Sequence, residues 1–269
     1  MLGTALRQTL TDYTVLTPHH SEVDITQRAA VIEYIGKHRP TCIVNAAAYT
    51  QVDDCEANRA VALQVNGEAP AYMAEAASLV GSRLVQYSTD YVFSGTKAVG
   101  YAETDQPDQP VNAYGESKLA GELAIQSWLA DQAYIIRTAW LYGAGGKNFV
   151  DTMLQLGQDQ SEVKVVNDQH GSPTYVQDLA VATSQLLQDQ PSSGIYHLTN
   201  AGHCTWHDFA VEIFKQAHLP AHVQPCTSAE FPRPAKRPAY SILLNTKRPL
   251  LRSWQAGLTA YMTSSRGQR

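Results

Sequence analysis

Short apolar runs and helix-like patterns alternate along the first half of the chain. The apolar runs predict buried strands at residues 13–17, 42–48, 84–87 and 133–138. Apolar residues recur at helical spacing between these runs, at residues 24–38, 54–79 and 112–129. Strands that alternate with helices favour a parallel sheet covered on both faces. We therefore predict an α/β fold with a Rossmann-like, doubly wound sheet.

The pattern changes beyond residue 146. The spacing predicts helices at residues 149–157, 176–188 and 206–217, and strands at residues 163–166 and 194–198. Residues 220–238 are rich in proline, which predicts a loop, and the polar residues 263–269 predict a frayed tail. We therefore divide the chain into a dinucleotide-binding domain, residues 1–145, and a smaller C-terminal lobe, residues 146–262. The lobe should mainly bind substrate, with some segments returning to the sheet.

Composition narrows the class of protein. The chain has 269 residues, of which 44% are hydrophobic, so it can bury a large core. A formal charge of −5 argues against a general binder of nucleic acids or anionic membranes. No apolar stretch approaches the roughly 20 residues of a membrane span, and no secretory leader is visible. The four cysteines form no CxxC pair, so we expect a reduced, cytoplasmic protein.

Histidine and cysteine side chains cluster near residue 204. His203, Cys204 and His207 lack a fourth ligand at the spacing of a zinc site. Thr205, with Asp208 three residues later, is instead typical of a helix N-cap. We therefore predict no metal ligands here.

The strongest chemical signal is a tyrosine and a lysine four residues apart. Tyr114 and Lys118 should share one face of a helix. An ammonium held there can lower the pKa of the phenol from about 10 and make it a proton donor near neutral pH. Thr89 should emerge at the carboxyl end of the preceding strand, where open α/β sheets place their active sites. Together these groups suit the reduction of a carbonyl by hydride, although Thr89 could instead bond to its own turn.

Small residues follow the strand at residues 42–48. Ala46, Ala47 and Ala48 would let a flat ligand lie close to the backbone. A dinucleotide fold normally opens with a strand and a glycine-rich turn, whereas this sequence opens on Met1-Leu2-Gly3-Thr4-Ala5-Leu6. These residues look like the last part of such a turn and the helix after it. We expect a start codon placed too late, or a truncated gene, which puts pyrophosphate binding in doubt.

Several motifs along nearly the whole chain resemble one family. They are VNAAAYT at residues 44–50, YSTDYVFSGT at residues 87–96, PVNAYGESKLAGE at residues 110–122, RTAWLYG at residues 137–143, DQHGSPT at residues 168–174 and RPAYS at residues 237–241. The chain resembles the dTDP-4-dehydrorhamnose reductases, which are extended short-chain dehydrogenases. The resemblance implies that NADPH or NADH reduces the C4 ketone of dTDP-4-dehydro-6-deoxy-L-mannose to give dTDP-L-rhamnose.

The resemblance also implies roles for individual residues. Tyr114 would be the proton donor, Lys118 would hold the nicotinamide ribose and lower the tyrosine pKa, and Thr89 would bind the substrate oxygen. The residues implied at the cofactor are Gly3, Asp24, Ile25, Ala46, Ala47, Ala48, Thr50, Tyr114 and Lys118. Those implied at the nucleotide-sugar substrate are Val52, Asp90, Trp140 and Arg237. Trp140 could instead be a core aromatic, and Arg237 could belong to a solvated basic loop.

Cofactor choice and assembly are less clearly marked. Residues 16–20 offer no acid for a ribose hydroxyl, which favours NADPH slightly, but no arginine for a 2′-phosphate is obvious there either. Some relatives form a homodimer with a divalent ion such as Mg²⁺ at the interface. Two other functions are compatible with the same motifs: another nucleotide-sugar epimerase or dehydratase, or a non-catalytic regulatory or remnant homologue.

Overall fold

The structure is a computed structural model that describes residues 1–266. The strands are β1 (Cys42–Asn45), β2 (Arg83–Thr89), β3 (Ala133–Thr138), β4 (Leu141–Tyr142), β5 (Glu162–Val166), β6 (His170–Gly171), β7 (Thr174–Tyr175), β8 (Gly194–His197), β9 (Cys204–Thr205) and β10 (His222–Cys226). The helices are α1 (Leu2–Thr9), α2 (Arg28–His38), α3 (Val52–Ala57), α4 (Arg59–Leu63), α5 (Ala69–Val80), α6 (Ala113–Leu129), α7 (Phe149–Asp159), α8 (Val176–Asp189), α9 (Trp206–Ala217) and α10 (Trp254–Arg266). A π-helical segment, Gln64–Glu68, joins α4 to α5, and a 3₁₀ turn, Asp90–Val92, follows β2.

A parallel four-stranded sheet forms the centre of the molecule, in the order β1-β2-β3-β8. Side chains alternate between its two faces, as the period of a strand requires. Val85 and Ile136 point towards α1 and α8, whereas Leu84 and Ile135 point towards α2, α5 and α6. Because helices cover both faces, the predicted α/β, doubly wound fold is confirmed.

A cavity of about 1040 Å³ lies along the outer edge of β1. The predicted strand at residues 13–17 runs along the far side of this cavity as irregular chain, so that prediction is wrong. A strand is defined by its hydrogen-bonded neighbours, and in the usual order another strand separates this segment from β1. In this structure the cavity occupies the place between residues 13–17 and β1, so this segment has no strand to pair with. The cavity is lined by apolar side chains such as Leu6, Leu10 and Val31.

The start of α2 also differs from the prediction. The helix begins at Arg28 rather than near Asp24. The Asp24 carboxylate accepts hydrogen bonds from the Thr26 backbone N–H and from its hydroxyl, at 3.0 and 2.7 Å. Asp24 therefore closes a separate turn before the helix. Neither Asp24 nor Thr26 caps α2, because the N-cap position is Gln27.

The second part of the chain forms its own core from α7, α9, α10, β5 and β10, while β8 lies in the central sheet. The proline-rich segment is not all loop, because β10 pairs in parallel with β5 and buries Val223 and Cys226. Thr205 and Asp208 form a capping box at the start of α9, as predicted. Residues 263–266 continue α10 instead of fraying, and residues 267–269 lie outside the described part. No described helix is long and apolar enough to cross a membrane.

Candidate active site

The N-terminus of α6 is fixed from two directions. The Asn112 side chain caps the helix by accepting a hydrogen bond from the Gly115 N–H at 2.9 Å, and its amide donates to the Lys236 carbonyl at 2.8 Å. The Glu56 carboxylate of α3 accepts a hydrogen bond from the Ala113 N–H at 2.8 Å. These contacts hold the first turn of α6, which carries Tyr114, against the end of β2.

The packing of α6 on the turn after β2 requires a glycine. A Cβ atom at Gly115 would lie 2.1 Å from the Tyr91 carbonyl oxygen, which is too close for any side chain. The rings of Tyr91 and Tyr114 meet edge to face, with centroids 5.9 Å apart. The close approach brings Tyr114 near Thr89, whose hydroxyl lowers the pKa of the phenol.

The pKa of Tyr114 is shifted in the direction opposite to the one we expected. Burial raises it above its ordinary value, the nearby Asp90 raises it further, and the nearby Thr89 hydroxyl lowers it in part. A desolvated phenol disfavours its charged form, so Tyr114 stays protonated throughout the neutral range. The expected lowering by Lys118 is therefore wrong for this structure. A neutral phenol can nevertheless give its proton to a strongly basic alkoxide.

Lys118 lies one turn further along α6, with 4% of its surface exposed. Its ammonium donates a hydrogen bond to the Tyr87 carbonyl of β2 at 2.6 Å. Burial lowers the pKa of Lys118 to about 8, opposed by the charge of Glu122. Glu122 itself forms a fully buried ion pair with Arg137 of β3, with two hydrogen bonds of 3.0 and 2.7 Å.

Thr89 and Asp90 lie together at the carboxyl end of β2. The Thr89 hydroxyl donates to Asp90 Oδ1 at 2.9 Å and accepts from the Tyr91 N–H at 3.2 Å. The alternative that we left open, a hydroxyl bonded to its own turn, is therefore also observed. Burial raises the pKa of Asp90 to about 7, and the nearby hydroxyls of Ser241 and Thr89 oppose that shift.

The loop after β1 carries the small residues predicted at the cofactor. Ala46 and Ala47 line the cavity, Ala48 is half-buried, and Thr50 is exposed. The Asn45 side chain accepts a hydrogen bond from the Ala47 N–H at 3.1 Å, which shapes the start of the loop. Gly3 of α1 faces this loop, since a Cβ atom there would lie 4.0 Å from Ala46 Cβ.

Asn66 ties the same loop to α6. Its amide oxygen accepts from the Tyr49 N–H at 2.9 Å, while its amide nitrogen donates to the Tyr49 carbonyl and the Ser117 hydroxyl, both at 3.0 Å. Sequence analysis missed this residue because it falls within a helical pattern. Asn66-Gly67 inside that pattern was the available signal, as both residues interrupt helices. The structure forms a π-helical turn there.

The two remaining cofactor candidates are neighbours in sequence but differ in their relation to the cavity. Ile25 is half-buried and lines it. Asp24 does not line it, and its carboxylate is bonded to Thr26 within its own turn.

The four substrate candidates differ in their contacts. Val52 begins α3 and is half-buried. Arg237 pairs with Asp53 at 3.0 Å and donates to the Ala235 carbonyl at 2.9 Å, so its charge is already partly balanced. Asp90 is almost completely buried, with 3% of its surface exposed.

Trp140 joins the two parts of the chain. Its backbone has a φ of 48°, the left-handed region, two residues after the end of β3. Its indole stacks on Trp206 of α9 with ring centroids 3.5 Å apart and planes 6° apart. The indole also packs against Gly171, where a Cβ atom would come within 2.4 Å of the ring. Trp140 is half-buried, so it contributes to the core and also retains surface.

Comparison with known proteins decides the family. The family model described as "RmlD substrate binding domain" matches residues 1–266. This chain belongs to that family. Among proteins similar to this member of the RmlD family is the dTDP-4-dehydrorhamnose reductase of Streptomyces griseus, 47% identical over 247 residues, or 88% of this chain and 81% of the relative. The dTDP-4-keto-6-deoxy-D-glucose reductase of Streptomyces niveus is 41% identical over 247 residues, or 90% of this chain and 85% of the relative.

A solved structure agrees with this assignment to the RmlD family. The crystal structure of dTDP-4-dehydrorhamnose reductase from Bacillus anthracis, in complex with NADP, is similar with a TM-score of 0.94 and 39% identity. The similarity covers 98% of this chain and 95% of that chain. The resemblance drawn from the sequence motifs is therefore confirmed.

Proposed function

We propose that this chain reduces the C4 ketone of dTDP-4-dehydro-6-deoxy-L-mannose to dTDP-L-rhamnose, with NADPH as the reductant. The observation that carries the proposal is the convergence of Thr89, Tyr114 and Lys118 at one end of the parallel sheet. The RmlD family membership and the name of the S. griseus relative support the same reaction. The NADP bound by the B. anthracis relative supports NADPH as the cofactor.

The residues at the end of β1 fit a dinucleotide. Ala46 and Ala47 are small and line the cavity, so a flat ring system can lie against their backbone. We propose that the buried Lys118 holds the nicotinamide ribose, and Ile25 offers an apolar contact in the cavity. We propose that Gly3, Ala48 and Thr50 complete this contact surface. Asp24 would contribute only by holding the turn before α2 in shape. When bound, NADPH supplies the hydride.

The protein would then supply orientation and a proton. Thr89 positions the ketone oxygen at the end of β2. Tyr114 donates its phenolic proton to the oxygen as negative charge develops there, which its retained proton allows. The ammonium of Lys118, fixed by the Tyr87 carbonyl, stabilises that charge. Val52, Asp90, Trp140 and Arg237 are proposed around the sugar nucleotide, mainly between residues 1–145 and the lobe at residues 146–262.

The test is NADPH consumption with the purified chain and the dTDP-linked ketosugar. Tyr114→Phe should lower kcat by a factor of about 10² or more, because general acid catalysis contributes about that much. Tyr72→Phe is the matched control. The Tyr72 hydroxyl donates to Glu68 on the surface, so this substitution should leave the rate unchanged. Full turnover by Tyr114→Phe would refute the proton-donor role.

The S. niveus relative gives a specific reason to test a second substrate. Its name describes reduction of a 4-keto-6-deoxy-D-glucose sugar. A higher kcat/KM with the D-gluco ketosugar than with the L-manno compound would assign the chain to that reaction instead. Turnover without any added reductant would instead support an epimerase or a dehydratase.

A further inference from the structure

The Thr89 hydroxyl uses its only proton within its own turn. A hydroxyl offers one proton and two lone pairs. The Tyr91 N–H takes one lone pair at 3.2 Å, and the other remains open to a further donor. The single proton points to Asp90 Oδ1 at 2.9 Å. In this arrangement Thr89 has nothing left to donate to a substrate oxygen.

The other oxygen of Asp90 is poorly satisfied. Asp90 Oδ2 is buried and has no hydrogen-bond partner within the part of the chain that the structure describes. The Ser241 hydroxyl, which also interacts with this carboxyl, donates its proton to the His170 carbonyl at 3.3 Å. Keeping a buried carboxylate charged is costly when one hydroxyl, here that of Thr89, donates a hydrogen bond to it. Burial therefore favours the neutral, protonated form of Asp90.

We propose that Asp90 is a positioning residue that sets the direction of the Thr89 proton. As a carboxylate, Asp90 takes that proton. As a neutral acid, Asp90 donates its own proton to Thr89 Oγ1, and the Thr89 proton turns towards the ketone oxygen. This role rests on the proposed reduction and adds to it, since it makes substrate polarisation depend on one buried carboxyl.

The sign of the pH effect follows from this arrangement. Because burial raises the pKa of Asp90 to about 7, the neutral acid predominates below that pH and is lost above it. The kcat/KM for the ketosugar should therefore fall as the pH rises through about 7. Other ionisable groups of the same region are Tyr91, Tyr114, Lys118, Asp53, Arg237 and His170.

The protonation of Asp90 can be measured without turnover. Infrared difference spectra of the NADPH-free protein should show a carboxylic acid band that titrates near pH 7 and is missing from Asp90→Asn. Thr89→Val removes the donor to the carboxylate, so the midpoint should rise by about one pH unit. Thr138→Val is the matched control. Thr138 lies opposite Thr89 on the neighbouring strand, and its buried hydroxyl has no partner among the described residues. This control should leave the midpoint unchanged.

Kinetics then test the effect on Thr89. The ratio of kcat/KM for Asp90→Asn to that for the wild type should rise about tenfold per pH unit above the midpoint. The side-chain amide introduced by Asp90→Asn can donate to Thr89 at every pH. Deprotonation of Lys118 changes kcat/KM in both proteins, so its effect cancels in the ratio. A ratio independent of pH, or equal infrared midpoints in Thr89→Val and Thr138→Val, would overturn the proposal. Near-UV circular dichroism checks that each variant folds.

Failure of the proposed function can be told apart from failure of this inference. If the wild type binds NADPH but reduces neither sugar, the proposed function fails. The infrared titration still decides whether Thr89 and Asp90 are coupled.

Discussion

Asn66 offers a direct test of how the fold supports the cofactor loop. Its side chain is buried, with 1% of its surface exposed, and makes three hydrogen bonds to Tyr49 and Ser117. In Asn66→Ala these bonds are lost together, and each is worth about 0.5–1.5 kcal/mol. We therefore expect the free energy of unfolding to fall by about 2–4 kcal/mol, as measured by urea denaturation.

The same change should weaken cofactor binding more than chemistry. The loop at residues 46–50 would lose its anchor to α6, and each backbone residue that must be ordered again costs about 1–2 kcal/mol. Ordering one residue corresponds to a rise of about tenfold in the Kd for NADPH, measured by fluorescence titration. The kcat at saturating NADPH should change by less than about threefold, because Tyr114 and Lys118 keep their own helix contacts.

The matched control is Asn58→Ala, which removes an exposed amide that donates to the Asp54 carbonyl at 3.2 Å. It should change stability by less than about 0.5 kcal/mol and leave the Kd for NADPH unchanged. The reasoning fails if Asn66→Ala resembles this control in both measurements. It also fails if kcat collapses while the Kd stays the same, because Asn66 would then support the chemistry and not the loop.

Two further substitutions probe the packing around the site. Gly115→Ala should cost about 1–3 kcal/mol of stability in denaturation, because its Cβ would collide with the Tyr91 carbonyl, and it should lower kcat by moving Tyr114. Gly36→Ala in α2, where a Cβ meets nothing within 4 Å, should instead stabilise by about 0.5–1 kcal/mol. Trp206→Ala removes the ring that stacks on Trp140. Because an aromatic pair is worth about 0.5–1.5 kcal/mol, the KM for the sugar should rise by about three- to tenfold. The Kd for NADPH should not change. The control is Trp128→Ala, on an exposed part of α6, which should leave both constants unchanged. Equal effects of the two tryptophan variants would contradict the role of Trp206 in supporting Trp140.

Elements with a strong local pattern were predicted accurately. The strand at residues 133–138 and the helix at residues 206–217 have the same bounds in the structure, because an apolar run and a capped amphipathic helix carry their own signals. The segment at residues 13–17 has a similar apolar character but forms no strand, since pairing depends on what lies beside it. A similar limit applies to β10, whose pairing with β5 outweighs its proline-rich composition.

The site shows the same division between local and non-local information. The spacing of Tyr114 and Lys118 placed them on one helix, and the turn after β2 brought in Thr89. The direction of the Tyr114 pKa shift could not be read from the motif, because it depends on burial by distant residues. Nor could the partner of Arg237, since Asp53 is far away in the sequence.

The outer edge of β1 has a consequence for the behaviour of the protein in solution. Among the described residues no strand pairs with this edge, so its N–H and C=O groups form a template that an extended segment of any polypeptide could join. Templates of this kind promote aggregation at high protein concentration. Molecules that fill the adjoining space would suppress this aggregation, because they would cover the open edge of β1.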